Sequence, residues 1–525
     1  MKEQQCRITI LPGEKELHAL AGDSLYTLLL VAGIISAEDA DSDRVCLERG
    51  SVSPAEDAAA EAAVFSAAEL TEGWMLASQR RILGDAVISL YHKQELPAAA
   101  QVKDGPLADG YGMAFDIGAA TITAGLVGLD SLRVPLMTAC SNSQLNVAAD
   151  LRDRLALASR DEANIIHLAA LLRADLGMLA EKLSHYAGLQ PRQIRAVTIA
   201  GSHAMLSLLR GRLPQAEDHF GHTEVCPAGA LALPVFDPET KIYLLPAANR
   251  ELGADAVAAA LAADLPHKRD YDAVTLLVDF GANGEILAAG GGRILGCSVP
   301  ALPFEGSGIS AGMPPVTGAI TDLYLDDLVT VRTVRDGRPC GICGAGLISA
   351  AATLFTHGML DADGRLTQPE GLPEAVASRL RHTAAGREFI LSPADKHFPR
   401  DICINQEDLL QLQMAKASIF AACQAVLSAL GAGPGDVREA LLAESYRANI
   451  RPAAVLRLGM LPAIPQQQVL SIGNASWQGA YLALSSRRIL HELEQLAKQI
   501  ERLDLNADQV YAEAFLQAMN FDAPA

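Results

Sequence analysis

The chain has 525 residues, half of them hydrophobic and 20% charged, which is enough apolar material for several cores and, by length, three or four domains. Its 42 Lys and Arg stand against 62 Asp and Glu, a formal net charge of −20. That balance speaks against a sequence-independent nucleic-acid binder, which needs a cationic face, and against residence on an anionic membrane. The longest apolar run, residues 24–37, is too short to cross a bilayer, and the N-terminus shows no signal-peptide core, so a cytoplasmic protein is expected. Nine scattered cysteines fit a reducing compartment better than a disulfide framework.

Residues 1–92 read as a small separate unit. A strand at 7–11, a turn at Pro12-Gly13, a second strand at 17–20 and a short helix at 25–32 ending at Gly33 open it. Residues 36–63 are acidic and alanine-rich, and the acidic residues within 38–61 read as a solvated face or loose loop. Residues 93–110, with Pro97, Gly105, Pro106 and Gly110 among polar neighbours, read as a linker. Beyond it, strands alternate with helices: helical periods at 152–157 and 162–188, a strand at 197–200, a helix at 204–209, a strand at 241–245 and a helix at 253–263. The alternation predicts α/β layers, with one lobe at 111–268 and another at 269–525.

One feature repeats. Phe115-Asp116-Ile117-Gly118-Ala119 is echoed by Val278-Asp279-Phe280-Gly281-Ala282, each after an apolar strand and before another strand-like stretch. A domain-length separation points to a duplicated α/β lobe that opens with strand–Asp–x–Gly–strand. A glycine-rich hairpin lets backbone N–H groups approach and hold phosphate, and the Asp at the strand end can hold a hydrated Mg²⁺. Two such turns facing across a cleft would grip a polyphosphate from both sides. No G-x-x-x-x-G-K-[ST] motif lies near either turn, so this is not a P-loop.

Longer motifs carry a resemblance. They are Asp279-Phe280-Gly281-Ala282-Asn283-Gly284-Glu285, then Pro303-Phe304-Glu305-Gly306, and Gly341-Ile342-Cys343-Gly344-Ala345-Gly346-Leu347-Ile348. Gln413-x-Ala415-Lys416-Ala417 and Gly473-Asn474-Ala475 with Gly479-Ala480 complete the series. In this order they resemble the reductive activators of corrinoid proteins, which belong to the superfamily of acetate and sugar kinases, heat-shock ATPases and actin. The resemblance implies duplicated actin-like, ribonuclease H-like lobes behind a small α+β ferredoxin-like domain. It implies ATP and Mg²⁺ as cofactors and, as partner, a corrinoid protein or corrinoid methyltransferase subunit, reduced from Co(II) to Co(I). It also points to a homodimer. Carried over to this chain, the catalytic candidates are Asp116, Asp279 and Asp255, with Mg²⁺ near Asp116 and Asp279. The nucleotide candidates are Gly118, Ala119, Thr121, Gly281, Ala282, Asn283, Gly284, Lys416, Gly473 and Asn474.

The chain departs from that family in two places. A [2Fe–2S] cluster needs four thiolates, yet only Cys46 lies between Gly33 and Arg80, and Leu76-Ala77-Ser78-Gln79 carries serine where the family has its last cysteine. A ferredoxin fold without iron is therefore expected, with electrons from an external donor. On the adenosine side, Ala443-Glu444-Ser445-Tyr446-Arg447 replaces a glycine run, so Glu444 puts bulk and charge where the family leaves space. In the first turn, Ala119 and Ala120 replace threonines. The reading that follows is an ATP-dependent corrinoid activator; the alternative is a corrinoid-protein scaffold or regulator that has lost its chemistry. A small-molecule kinase is a third reading, opposed by the N-terminal unit.

Other groups leave alternatives open. Asp255 opens a helix, where a carboxylate serves as a cap or as a ligand for Mg²⁺ or the attacking water. Lys416 either approaches the nucleotide or forms a surface ion pair. His203 faces the cleft or sits in the core. Cys340 and Cys343 form a C-x-x-C read as buried structural thiols, and His219, His222 and Cys226 read as loop residues rather than a metal site.

Overall fold

The computed structural model describes residues 5–11, 15–31, 44–55, 74–90, 105–129, 133–215, 220–281, 283–300, 308–384, 386–396, 398–446, 448 and 450–521. The chain divides into two compact units, residues 1–101 with 185–189, and residues 102–184 with 190–525. The expected turn at Pro12-Gly13 and most of the expected linker fall outside the described residues.

The N-terminal unit contains β1 (Gln5–Leu11), β2 (Lys15–Leu20), α1 (Leu25–Val31), β3 (Arg44–Val52), β4 (Trp74–Leu76) and β5 (Ile82–Leu90). They form a sheet ordered β2-β1-β5-β3-β4. Period-two alternation buries Cys6, Ile8 and Ile10 along β1, and the i, i+4 pair Leu25 and Leu29 points α1 onto the same core. One expectation is corrected here: β3 runs through the acidic segment expected to be a loop. Its Val45 is buried, and its backbone pairs with β5.

The larger unit opens with an antiparallel meander, β6 (Tyr111–Ile117), β7 (Thr121–Gly128) and β8 (Arg133–Ser141). Then come α2 (Leu151–Ala158), α3 (Glu162–Tyr186), β9 (Ile194–Gly201), α4 (His203–Leu209), β10 (Glu224–Pro227), β11 (Lys241–Leu244) and α5 (Ala254–Ala262). A second meander follows, β12 (Val274–Phe280), β13 (Asn283–Gly290) and β14 (Arg293–Pro300). Two small sheets come next, built from β15 (Ala319–Leu325), β16 (Val329–Thr333) and β17 (Gly341–Ile342), and, after α6 (Gly344–Thr356), from β18 (Leu380–Thr383), β19 (Gly386–Ser392) and β20 (Ile402–Asn405). The chain ends with α7 (Gln406–Ala429), β21 (Val437–Ala443), β22 (Val469–Gly473), α8 (Ala475–Ser485), α9 (Arg487–Gln499), β23 (Ile500–Arg502) and α10 (Gln509–Gln517).

The duplication is visible in strand order. One main sheet runs β8-β7-β6-β9-β11-β10 and the other β23-β14-β13-β12-β21-β22. In each, the meander's first strand pairs in parallel with a later strand, β6 with β9 and β12 with β21, and that strand pairs in parallel with the next, β11 or β22. The central strands are apolar on both faces, as expected of strands covered on two sides. Helix α7 is the long core helix of the second half, burying Leu409, Leu412, Ile419 and Val426. By length and composition α3 and α7 are both apolar enough to cross a membrane, but α7 is largely buried in this core.

Helix α8 follows β22 in sequence but packs on β6, β9 and α5 of the first half. Three features fix it there. The Trp477 indole donates to the Ala114 carbonyl at 3.0 Å, and the Thr198 hydroxyl donates to the Ala480 carbonyl at 2.7 Å. At Gly479, a Cβ would stand 2.1 Å from the Ala258 carbonyl oxygen, so only glycine permits this approach of α8 to α5. The lobe expected at 269–525 therefore lends a helix to the lobe before it.

Candidate active site

Strands β6, β9, β12 and β21 run in register to their C-terminal ends: Ile117 lies opposite Gly201, and Asp279 opposite Ala443. The residues that leave those ends share one cleft, the usual place for a ligand on such sheets. The first turn contributes Asp116, Gly118, Ala119 and Thr121, and the second Asp279, Gly281 and Asn283. The two glycine turns thus face a common groove. Ser202, which follows β9, and Glu444, which follows β21, also line it, as do Asp255 and Asn474.

The first turn is held from behind. Gly118 N–H donates to the Thr121 carbonyl at 2.9 Å, and Asn142 Nδ2 donates to the Gly118 carbonyl at 3.0 Å. Buried Arg154 donates to the carbonyls of Ala119 and Ala148, each at 2.7 Å. Asp116 is held from the front by α8. Asn474 Nδ2 donates to its Oδ2 at 2.9 Å and Ser476 Oγ to its Oδ1 at 2.8 Å, while Asn474 Oδ1 caps α8 by accepting from Trp477 N–H. Burial raises the Asp116 pKa, and the two hydrogen bonds oppose that rise.

Asp255, in the first turn of α5, accepts from Ala256 N–H at 2.9 Å and lines the cleft as well, while Gly253 holds the N-cap position. Burial lifts its pKa to about 7; the Ala256 hydrogen bond resists and the Asp116 charge assists. In the second turn, a Cβ at Gly281 would stand 3.2 Å from the Asn283 carbonyl oxygen and 3.9 Å from both Asp279 Oδ1 and Glu285 Oε2. Glycine there keeps open the spot that both carboxylates face.

Five carboxylates line the cleft, Asp116, Asp255, Asp279, Glu285 and Glu444, and no lysine or arginine is among its described lining residues. A polyphosphate entering such a site must bring its own cation, and hydrated Mg²⁺, which uses few protein ligands, suits it. Thr121 Oγ1 is buried without a hydrogen-bond partner among the described residues, which fits a ligand oxygen beside the first turn. The residues present therefore fit Mg²⁺ and a phosphate chain.

Several expected residues lie elsewhere. Lys416 is fully buried on α7, and its ammonium donates to the carbonyls of Ala518, at 2.7 Å, and Asn520. It anchors the end of α10 and does not line the cleft. Gly284 and Gly473 do not line it either; Gly284 pairs within the hairpin and the Gly473 carbonyl accepts from Glu444 N–H at 3.0 Å. Ala282 lies outside the described residues. His203 lines a different cavity. Cys340 is exposed, against expectation, whereas Cys343 is buried, donates to the Ile320 carbonyl at 3.3 Å and has its pKa pushed by burial to about 12. His219 lies outside the described residues. Among the described residues no group of His, Cys, Asp and Glu is arranged to hold a metal directly.

Glu444 does line the cleft, but its carboxylate is engaged. Ile450 N–H donates to one oxygen and Ser471 Oγ to the other, the latter at 3.1 Å; burial still lifts its pKa to about 7. In the N-terminal unit Cys6 is buried in the strand core and Ser78 is exposed. The residues of that unit do not fit a [2Fe–2S] cluster, because its sequence offers two cysteines where four thiolates are required. The sequence reading missed Ser202, Glu285, Ser476 and the backing pair Asn142 and Arg154. Ser476 was legible as the next polar residue after the Asn474-Ala475 motif, and Glu285 as the end of the second turn's motif. Asn142 and Arg154 carried no local signal.

Comparison with known proteins places this architecture. The RACo middle region matches residues 111–268, and the C-terminal domain of RACo, the ASKHA domain, matches residues 273–524. The chain is 24% identical over 422 residues to "Corrinoid activation enzyme RamQ" of Eubacterium limosum, covering 78% of this chain and 70% of that protein. It is 27% identical over 284 residues to "[Co(II) methylated amine-specific corrinoid protein] reductase" of Methanosarcina barkeri, an alignment spanning half of this chain and 47% of that protein. The solved structure of a "Reductive activator for corrinoid,iron-sulfur protein" matches 98% of both chains with a TM-score of 0.71 at 21% identity, which establishes the shared fold. With both characteristic regions present in order and filling most of its length, the chain belongs to the RACo family.

Proposed function

We propose that this chain couples ATP hydrolysis to the one-electron reduction of Co(II) to Co(I) in a corrinoid protein, with the electron supplied by a separate low-potential donor. The observation that carries the reading is the single cleft that Asp116 with Gly118 and Asp279 with Gly281 enter from opposite halves of the duplicated fold. The names of the two curated relatives supply the substrate class. The external donor follows from the N-terminal unit, whose residues do not fit an iron–sulfur cluster.

In this reading backbone N–H groups of the two turns bind phosphate oxygens, and Asp116 and Asp279 hold the hydrated Mg²⁺. Mg²⁺, when bound, neutralises phosphate charge. Asn474 and Ser476 orient Asp116. Asp255, with a pKa near 7, is suited to take a proton from water at neutral pH. Closure of the cleft moves one half against the other, which is how hydrolysis would alter the hold on a docked corrinoid protein.

The test combines the full chain with a Co(II) corrinoid protein, titanium(III) citrate and Mg·ATP, and follows the corrinoid spectrum. Reduction that requires both chain and ATP supports the proposal. Absence of both ATP hydrolysis and accelerated reduction overturns it. One observation favours the scaffold reading, the Glu444 carboxylate in the cleft. Calorimetry with Mg·ATP separates the two, because a scaffold gives no binding isotherm.

A further inference from the structure

A second cavity, ≈ 350 Å³ in volume, lies against α4, β10 and the segment that follows β11. We infer that it is a binding site for a small organic acid, a carboxylate on an apolar body. The volume falls in the range of small-molecule sites.

Its walls have two characters. Leu206, Phe220 and Leu245 supply apolar surface, and the Phe220 ring meets His203 edge-on at 5.1 Å. Arg210 and Thr223 supply polar groups, and both carry an orphan. Arg210 Nε and Thr223 Oγ1 are buried, yet neither has a hydrogen-bond partner among the described residues. Buried donors are almost always satisfied, so two on the wall of one cavity point to acceptor atoms within it. A carboxylate offers those acceptors.

The arginine is also set in place. Its Nη2 is bonded to Glu224 of β10, which fixes the guanidinium plane beside the cavity. Thr223 is fixed by its backbone, whose N–H donates to Glu494 Oε1 of α9 at 2.9 Å. Arg210, Arg212 and Glu224 are the charged side chains among its described lining residues. The two orphan groups call for an acceptor such as a carboxylate, and the apolar wall selects one with a hydrocarbon body over a bare inorganic ion. Neither orphan belongs to the phosphate cleft, so the inference stands independently of ATP hydrolysis.

The test titrates the full chain with benzoate and, separately, with inorganic phosphate, read by calorimetry and melting temperature. Benzoate is expected to bind, with phosphate at least tenfold weaker. Arg210→Met and Thr223→Val are each expected to weaken benzoate severalfold; should Arg210→Met fail to fold, Thr223→Val carries the test. The site is refuted if benzoate does not bind, if the folded variants bind it as the native chain does, or if phosphate binds as tightly as benzoate.

Discussion

The two glycine turns share a motif and differ in what surrounds it. Across the first hairpin Asp116 faces Thr123; across the second Asp279 faces Glu285. The first turn is braced by Arg154 and Asn142 and gripped by Asn474 and Ser476 of α8, whereas the second pairs its aspartate with another acid. Duplication has thus produced one turn whose aspartate is held by α8 and one turn whose aspartate faces a second acid across its hairpin. Under the proposed function the unequal pair would suit a cation that must be bound and then released, the bonded carboxylate setting position and the two facing acids supplying charge.

The largest expected effect tests that asymmetry. Asp116→Asn should lower ATP turnover by about 100-fold or more, as loss of a positioned charged group in a water-excluded site does. Asp279→Asn should cost roughly tenfold less, since Glu285 remains beside it. Equal losses in steady-state kinetics would break the comparison. Next comes Gly479→Val, which drives a side chain into the Ala258 backbone and should destabilise the protein by about 3 kcal/mol in denaturant titration. Lys416→Met should cost about 2 kcal/mol by leaving the carbonyls of Ala518 and Asn520 without their donor, with no change in nucleotide affinity. A large change in the Kd for Mg·ATP would return Lys416 to the site.

The pH dependence is a subtler probe. Asp255 and Glu444 both titrate near 7 in the fold, against ordinary values of 3.8 and 4.5. A carboxyl whose folded pKa is raised binds its proton more tightly in the native state. Its contribution to stability is therefore full below the unfolded pKa and is lost as pH rises toward 7. The melting temperature of the nucleotide-free chain should fall over that interval, and Asp255→Asn should flatten part of the fall. Activity should move the other way, rising through neutrality as Asp255 ionises. The smallest effect is Ser476→Ala, which removes one bond opposing the rise of the Asp116 pKa and should cost about 1 kcal/mol, read by calorimetric unfolding.

How much of this was legible in the sequence follows from how far each signal reaches along the chain. The two Asp-x-Gly turns and the flanking strands were readable, because each rests on local apolar periodicity and a short turn. Strand β3 was not: its segment is acidic and alanine-rich, and pairing with β5 overrode that composition. Lys416 was misplaced because a lysine in a helical motif gives no hint that the end of α10 lies over it. Arg154 was invisible for the same reason, since the carbonyl of Ala119 it serves stands 35 positions earlier. Glu444 was read as bulk and charge on the adenosine side, but not as a carboxylate already bonded to Ile450 and Ser471, contacts that depend on how β22 lies beside β21.

The exchange of α8 has a practical consequence. A fragment cut at the natural-looking boundary after residue 268 would lose the indole and the small-residue face that cover β6, β9 and α5, and would leave those apolar surfaces wet. Such a fragment should be insoluble, and one supplied with residues 474–486 as a separate peptide should recover. A hinge that opens the cleft then has the junction of β22 and α8 at Gly473 as one of its crossing points, so that α8 travels as a passenger of the half it did not come from.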